Sequence, residues 1–156
     1  MISKSEQQIL DNIEAFGFSI IHVLDSIENQ VAMPGFSYSI GLFKSYQLPE
    51  LLIIGLDQEL RHTLIDNISI DYQEGTGLEI GAFNADIVEH FDCLVVPVEQ
   101  QHYAEYLTWA RWFYKSNEFP VIQVVYPDTL GLFPWDKDFS RFIKQPILNA
   151  QYQSGI

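Results

Sequence analysis

The residues able to do chemistry are few and scattered. Cys93 is the only cysteine in the 156 residues, with His90 and His102 near it in sequence. It opens the apolar run Cys93–Val98, where a free cysteine packs as a small hydrophobe and does not act as a thiolate. His90, Asp92, Cys93, His102 and Glu105 fall within sixteen residues, and His102 and Glu105 stand one helical turn apart. No pair among them has the spacing of a zinc motif, so no metal and no cofactor are expected. Gly75-Thr76-Gly77 has Ile80 where a dinucleotide loop carries its third glycine. Gly35-Phe36-Ser37-Tyr38-Ser39 lacks the second glycine of a nucleophile elbow. No catalytic residue is assigned; the sequence leans against an enzyme without deciding the point. His22, on an apolar strand face, reads as a hydrogen-bonded core histidine.

The segment most committed to a shape is Gln123–Asp136, Gln-Val-Val-Tyr-Pro-Asp-Thr-Leu-Gly-Leu-Phe-Pro-Trp-Asp. Pro127 and Pro134 stiffen the backbone on both sides of Gly131, which permits a reversal. Two readings stand. In the first, the loop plugs one end of the core with Trp135 tucked inward, and the Asp128 and Asp136 carboxylates point to water. In the second, a pocket lies between the Ser37/Ser39 strand and the Gln123–Asp136 loop. Its binding residues are then Tyr38, Ser39, Gln123, Asp128, Trp135 and Asp136.

The elements that must position these groups follow from periodicity. Ser3-Lys4-Ser5-Glu6 has the spacing of a capping box, and Ile9, Leu10, Ile13 and Phe16 recur on one helical face up to Gly17. Phe18–Leu24 predicts a strand with Phe18, Ile20, His22 and Leu24 on one face. Asp25–Gln30 reads as a turn and Pro34-Gly35 as the centre of a type II turn. Phe36–Leu42 alternates cleanly, with Ser37, Ser39 and Gly41 on a small, polar face. Leu51–Leu56 is continuously apolar and predicts a strand buried on both faces. Asp57 then caps a helix with Leu60, Leu64, Ile65 and Ile68 as its stripe.

Further strands are expected near Leu78–Phe83, over Cys93–Val98 and over Val121–Tyr126. Between them, His102–Tyr114 predicts a helix rich in aromatics, either filling a broad interface or exposed to a partner or planar ligand. Arg111 and Lys115, one turn apart on it, could bracket an anion. Strands in a run with few helices predict an α+β fold: a mostly antiparallel sheet with two or three helices packed on one face.

One domain over residues 1–156 suffices for this length, which buries roughly 70 % of the unfolded surface. Hydrophobic residues make up 47 % and charged residues 19 %, the composition of a globular chain. No apolar run approaches the ~18 residues of a membrane span, and Met1-Ile2-Ser3-Lys4 lacks the apolar region of a signal peptide. With a single cysteine, a reducing, cytoplasmic setting is expected. The net charge is −13; residues 45–110 hold twelve acids with Arg61 the only base. That balance excludes a phosphate-backbone binder, so no nucleic acid and no membrane partner is expected. The acidic stretch either keeps the protein soluble or meets a basic protein partner.

Four blocks are similar to a bacterial family known only as a domain of unknown function, DUF4262. Phe36-Ser37-Tyr38-Ser39-Ile40-Gly41-Leu42 resembles its Tyr-Thr-Val-Gly-Leu strand, and Pro49-Glu50-Leu51-Leu52-Ile53-Ile54-Gly55-Leu56 its Pro-Glu-Leu strand ending in Gly-Leu. Gln123–Asp136 resembles its Gln-x-x-Trp-Pro-Asp-x-x-Gly-x-Phe-Pro-Trp segment, with Tyr126 where Trp is common. Gln145-Pro146-Ile147-Leu148 resembles its closing Gln-Pro-Leu-Leu. The likeness spans about residues 36–148 and implies one compact domain without implying a reaction. The Ser-Ile-Gly-Leu and Pro-Glu-Leu pattern also resembles, at fold level only, immunity-type proteins of toxin systems. Two functions follow as expectations. One is a non-enzymatic interaction or regulatory protein, immunity-type among the cases; the other is a small-molecule-binding domain or enzyme.

Overall fold

A computed structural model of the chain describes residues 1–88 and 91–152. Helix α1 (Lys4–Phe16) begins on the expected capping box. The Glu6 amide donates to Ser3 Oγ at 3.1 Å, and the Ser3 amide donates to Glu6 Oε1 at 2.7 Å. It ends at Gly17, left-handed at φ 89°. Strand β1 (Ser19–Val23) follows, then a small hairpin of β2 (Ser26–Glu28) and β3 (Val31–Met33). Asn29 and Gln30 form its tip, both at positive φ, which suits the right-handed twist of a two-residue hairpin. The polar stretch Asp25–Gln30, expected as a plain turn, is thus one strand and the tip of this hairpin.

The remaining elements are β4 (Phe36–Ile40), α2 (Leu42–Tyr46), β5 (Glu50–Ile54), α3 (Gln58–Gln73), β6 (Phe83–Val88), β7 (Phe91–Pro97), α4 (Tyr103–Tyr106), α5 (Thr108–Tyr114) and β8 (Val121–Val125). Six strands form one sheet in the order β1-β4-β5-β8-β7-β6. Every neighbouring pair is antiparallel except β5 and β8. A parallel pair needs a long crossover, and everything from α3 to α5 lies between these two strands. The chain forms one compact α+β domain, as its pattern of elements predicts.

Helices cover both faces of the sheet, not the single face expected. Ser37, Leu51, Ile53, Ile122, Val124 and Val95 face α3, whose Leu64, Ile65, Ile68 and Tyr72 are buried against them. Tyr38, Leu52, Ile54 and Val121 face the other way, against Tyr103, Tyr106, Leu107 and Ala110 of α4 and α5. The continuous apolar run in β5 demands this, because a central strand with no polar face must be covered twice.

Three boundaries differ from the sequence reading. The strand expected near Leu78–Phe83 forms at β6, later in the chain. The helix expected over His102–Tyr114 is broken at Leu107, which is fully buried with φ −115° and ψ 42°. Pro34-Gly35 is not a type II turn, since Gly35 keeps a negative-side φ. Glycine is needed there for room: a Cβ would lie 2.7 Å from Asp25 Oδ1 and 2.8 Å from the Val23 carbonyl.

Candidate functional site

The small, polar face of β4 is engaged by α3. Arg61 is only 3 % exposed. Its Nε donates to Ser37 Oγ at 2.7 Å and its Nη1 to the carbonyls of Leu56 at 2.7 Å and Gly55 at 3.2 Å. Burial lowers the Arg61 pKa, against the opposing pull of Asp25, Tyr126 and Asp57. Ser37 Oγ also shares a hydrogen bond with His22 Nδ1, 2.6 Å away, and His22 Nε2 lies 3.2 Å from His62 Nδ1. His22 is hydrogen-bonded as its strand position predicts, but it is half-buried and not a core residue. Its pKa is lowered by burial first, then by His62 and Arg61.

A second polar centre closes the end of β4 and β5. Glu50 is fully buried, with no cation among its hydrogen-bond partners. Its Oε1 accepts from Ser39 Oγ at 2.7 Å and the Leu42 amide at 3.2 Å. Its Oε2 accepts from the amides of Gly41 (3.0 Å) and Phe43 (3.2 Å) and from Tyr114 Oη (2.5 Å). Ser39 Oγ itself accepts from the Leu51 amide, and Tyr114 Oη from the Lys44 amide. Each hydroxyl therefore takes one backbone proton and passes its own to the carboxylate. Burial pushes the Glu50 carboxyl above its ordinary value, while Tyr114, Ser39, Phe43 and Gly41 pull against it. The Ser-Tyr-Ser-Ile-Gly-Leu and Pro-Glu-Leu blocks meet at this carboxylate. Gly41, at φ 114°, has no room for a Cβ against the Gly17 carbonyl and Phe18 Cα.

The other two blocks clasp each other through glutamines. Gln123 Nε2 donates to the Pro146 carbonyl at 2.7 Å, and Gln123 Oε1 accepts from the Leu148 amide at 2.9 Å. Gln145 returns the pair, accepting from the Tyr126 amide and donating to its carbonyl. Tyr126, standing where the family favours Trp, uses its hydroxyl on the Ile54 carbonyl at 2.9 Å, filling the space above Gly55.

The Gln123–Asp136 loop is ordered by its own acids. Asp128 Oδ1 accepts from the amides of Leu130 and Leu132, and Oδ2 from that of Ser140. Burial raises the Asp128 pKa, but the amides of Leu132, Ser140 and Leu130 outweigh it, so the net shift is downward. Asp136 Oδ2 accepts from the Phe133 amide at 2.8 Å. Trp135 is half-buried, stacked on Phe133 at 5.0 Å between centroids, against Leu94, Val96, Val125 and Ile147. The carboxylates thus turn inward onto the loop's backbone, where the sequence reading had them facing water or a pocket mouth.

The six expected binding residues do not converge. Tyr38 Oη accepts from the Trp109 amide and ties α5 to the sheet. Ser37 and Ser39 lie on strand positions facing α3, while Gln123 and the Trp135 end of the loop lie on the opposite side. The sheet itself separates the two halves of the expected pocket, because alternate residues of a strand point to opposite faces. Cys93 is buried within β7, its thiol pushed up to about 12 by burial, so it packs as a hydrophobe. His90 lies outside the described residues. The aromatic helix packs largely inward: Tyr103 and Tyr106 are buried, and Trp109, Trp112, Phe113 and Tyr114 are half-buried. Arg111 donates to Asn117 Oδ1 at 2.8 Å.

Two features were not legible as sites. A cavity of about 380 Å³ lies between His102, Glu105 and Tyr106 and the segments around Pro134 and Gln145–Leu148. His102 Nε2 is buried without a hydrogen-bond partner among the described residues. A groove of about 540 Å³ lies between α1, β1 and α3, lined among others by Phe16, Ile20, His62, Asp66 and Ile70. Among the described residues no helix is long and apolar enough to cross a membrane.

Fold and polar centres together define a small α+β domain whose buried hydrogen-bonding groups brace its own backbone. The chain matches the model of DUF4262, a domain of unknown function, over residues 12–140, and belongs to that family. No curated protein and no solved structure matches it.

Proposed function

We propose that the protein is a non-enzymatic, cytoplasmic interaction protein that binds and regulates a basic protein partner through the acidic stretch 45–110. One observation carries this reading: Arg61, the only base of that stretch, is buried and bonded to Ser37, Gly55 and Leu56. The outer side of α3 therefore presents Glu59, Asp71 and Glu74 exposed, and Asp66 half-buried, without an exposed Lys or Arg in the stretch. Such a field speeds encounter with a cationic surface and weakens as salt rises. An immunity-type role is one case of it, with a basic toxin as the partner.

The test is in-cell cross-linking with the wild type and with a variant carrying Glu59→Lys, Asp66→Lys, Asp71→Lys and Glu74→Lys. The wild type should yield a basic protein that the variant loses, and the complex reconstituted from purified proteins should weaken with salt. Equal recovery by both refutes the reading.

A second reading, small-molecule binding, is favoured by the cavity beside His102, whose Nε2 has no partner among the described residues. A buried unpaired nitrogen costs roughly 1–3 kcal/mol, which a ligand could relieve. Native mass spectrometry of the purified protein separates the two: a co-purifying small molecule lost in His102→Ala supports this one.

A further inference from the structure

The proposal that a basic partner is bound leaves open where it docks and what it must look like. Electrostatics alone would spread contact over the whole acidic surface. The groove between α1 and α3 adds an apolar element beside the acidic side of α3. Phe16 at the end of α1 is 65 % exposed, and Ile70 on α3 is 44 % exposed. Between them the floor is made by Phe18, Ser19 and Ile20 at the edge strand β1, where Ser19 Oγ accepts from Asn12 Nδ2, with Ala15 on the α1 wall. Exposed aromatic and aliphatic side chains on opposite walls of one groove are what a docked side chain would cover.

The α3 wall is built on helical spacing. His62, Asp66, Ile70 and Gln73 line the groove at successive turns. Glu59 and Glu74 extend the same stripe, three residues before His62 and four after Ile70, and both are exposed. Asp11, one turn before Ala15, is exposed on α1. The groove is thus an apolar slot with a carboxylate rim, and the only Arg in the acidic stretch is buried beneath α3.

From this geometry we infer that the groove between α1 and α3 docks a helical segment of the partner. That segment is amphipathic, with an aliphatic or aromatic anchor set between Phe16 and Ile70, and Lys or Arg on either side of it facing Asp66 and Glu74. Charge complementarity selects this occupant: a second copy of the same chain would bring a like-charged rim against the first, at −13 per copy. The apolar slot meanwhile gives register that a polycation without an anchor would not supply.

The inference rests on the basic-partner reading, and one experiment separates their failures. The probe is a fluorescent eighteen-residue Leu/Lys peptide with its leucines at helical spacing, beside a scrambled peptide of identical composition. Binding is read by anisotropy for the wild type, Ile70→Ser, Asp66→Lys/Glu74→Lys, and a control Glu105→Lys/Glu118→Lys on the far side. Melting curves confirm that each variant is folded.

The amphipathic peptide should bind at least tenfold tighter than the scrambled one. Ile70→Ser and the Asp66/Glu74 variant should each weaken it about tenfold or more, and the control less than twofold. Amide shifts should concentrate at Ala15–Ile20 and His62–Gln73. Equal binding of both peptides, or equal loss in rim and control variants, overturns the groove while leaving a diffuse acidic attraction standing. No salt-sensitive binding of either peptide overturns both.

Discussion

Glu50→Gln tests whether the buried carboxylate is the keystone between β4, β5 and α2. Five donors converge on it: the hydroxyls of Ser39 and Tyr114 and the amides of Gly41, Leu42 and Phe43. An amide side chain has one acceptor oxygen, so whichever way it turns, its NH2 faces donors. Turned to the Oε1 side it displaces Ser39 and Leu42; turned to the Oε2 side it displaces Gly41, Phe43 and Tyr114. The first is less damaging and strands two buried donors at roughly 1–3 kcal/mol each. Partial relaxation brings the expected loss to about 2–4 kcal/mol. For a domain of this size that lowers the melting midpoint by roughly 6–12 °C.

The assay is urea unfolding of wild type and variant at neutral pH, with an unchanged m-value required for a clean comparison. Tyr114→Phe completes a double-mutant cycle, and the pair should be non-additive by more than about 0.5 kcal/mol because both act on one oxygen cluster. An unchanged midpoint for Glu50→Gln would refute the reasoning, since it would mean that the group already behaves as a neutral acid. A second signature follows from the raised pKa. A folded-state value above the unfolded one gives stability that is present in full below about 4.5 and fades as pH rises through the folded value. Glu50→Gln should remove that slope.

Asp128→Ala should loosen the Gln123–Asp136 loop without unfolding the sheet. Hydrogen exchange at the amides of Leu130, Leu132 and Ser140 should speed at least tenfold, Asp128→Asn should be milder, and unchanged exchange at those amides would count against the carboxylate as organiser. His22 makes a prediction of opposite sign to Glu50. Its folded pKa lies below the ordinary 6.5, so the unfolded chain takes up the proton first and stability falls as pH drops from about 6.5 through the folded value. The groups facing it are Ser37, Arg61 and His62. Unfolding measured from pH 7.5 down should show this slope in the wild type and a shallower one in His22→Gln; parallel curves would refute it.

Much of the local structure was legible because it depends on neighbours in sequence. The Ser3–Glu6 capping box, the Asp57 cap and the alternation of Phe36–Ile40 are set by contacts three or four residues apart or by the pleat. The core strands β5, β7 and β8 declared themselves by apolar runs long enough to need burial on both sides. A turn over Asp25–Gln30 was expected, but the hairpin strands around its Asn29-Gln30 tip were not, because neither tip residue is glycine, though both adopt positive φ. The break at Leu107 was missed because it is imposed by packing: Tyr38 takes the Trp109 amide, and Leu107 fills the core.

The sequence by itself determined the first and third helices and the core strands, that they share one domain, and that residues 45–110 are acidic. It also marked the four blocks that matter, but not what joins them. Only the tertiary structure decided that Pro-Glu-Leu meets Ser-Ile-Gly-Leu at one carboxylate, that Gln123 clasps the backbone of Pro146 and Leu148 while Gln145 clasps that of Tyr126, and that Ser39 and Gln123 lie on opposite sides of the sheet. The same holds for Arg61, whose charge reads as surface in the sequence and is buried in the fold. The physical reason is common to all of these. Periodicity reports the environment each residue requires, whereas the choice of partner depends on strand order and on which face each crossover covers, and residues far apart in the chain settle both.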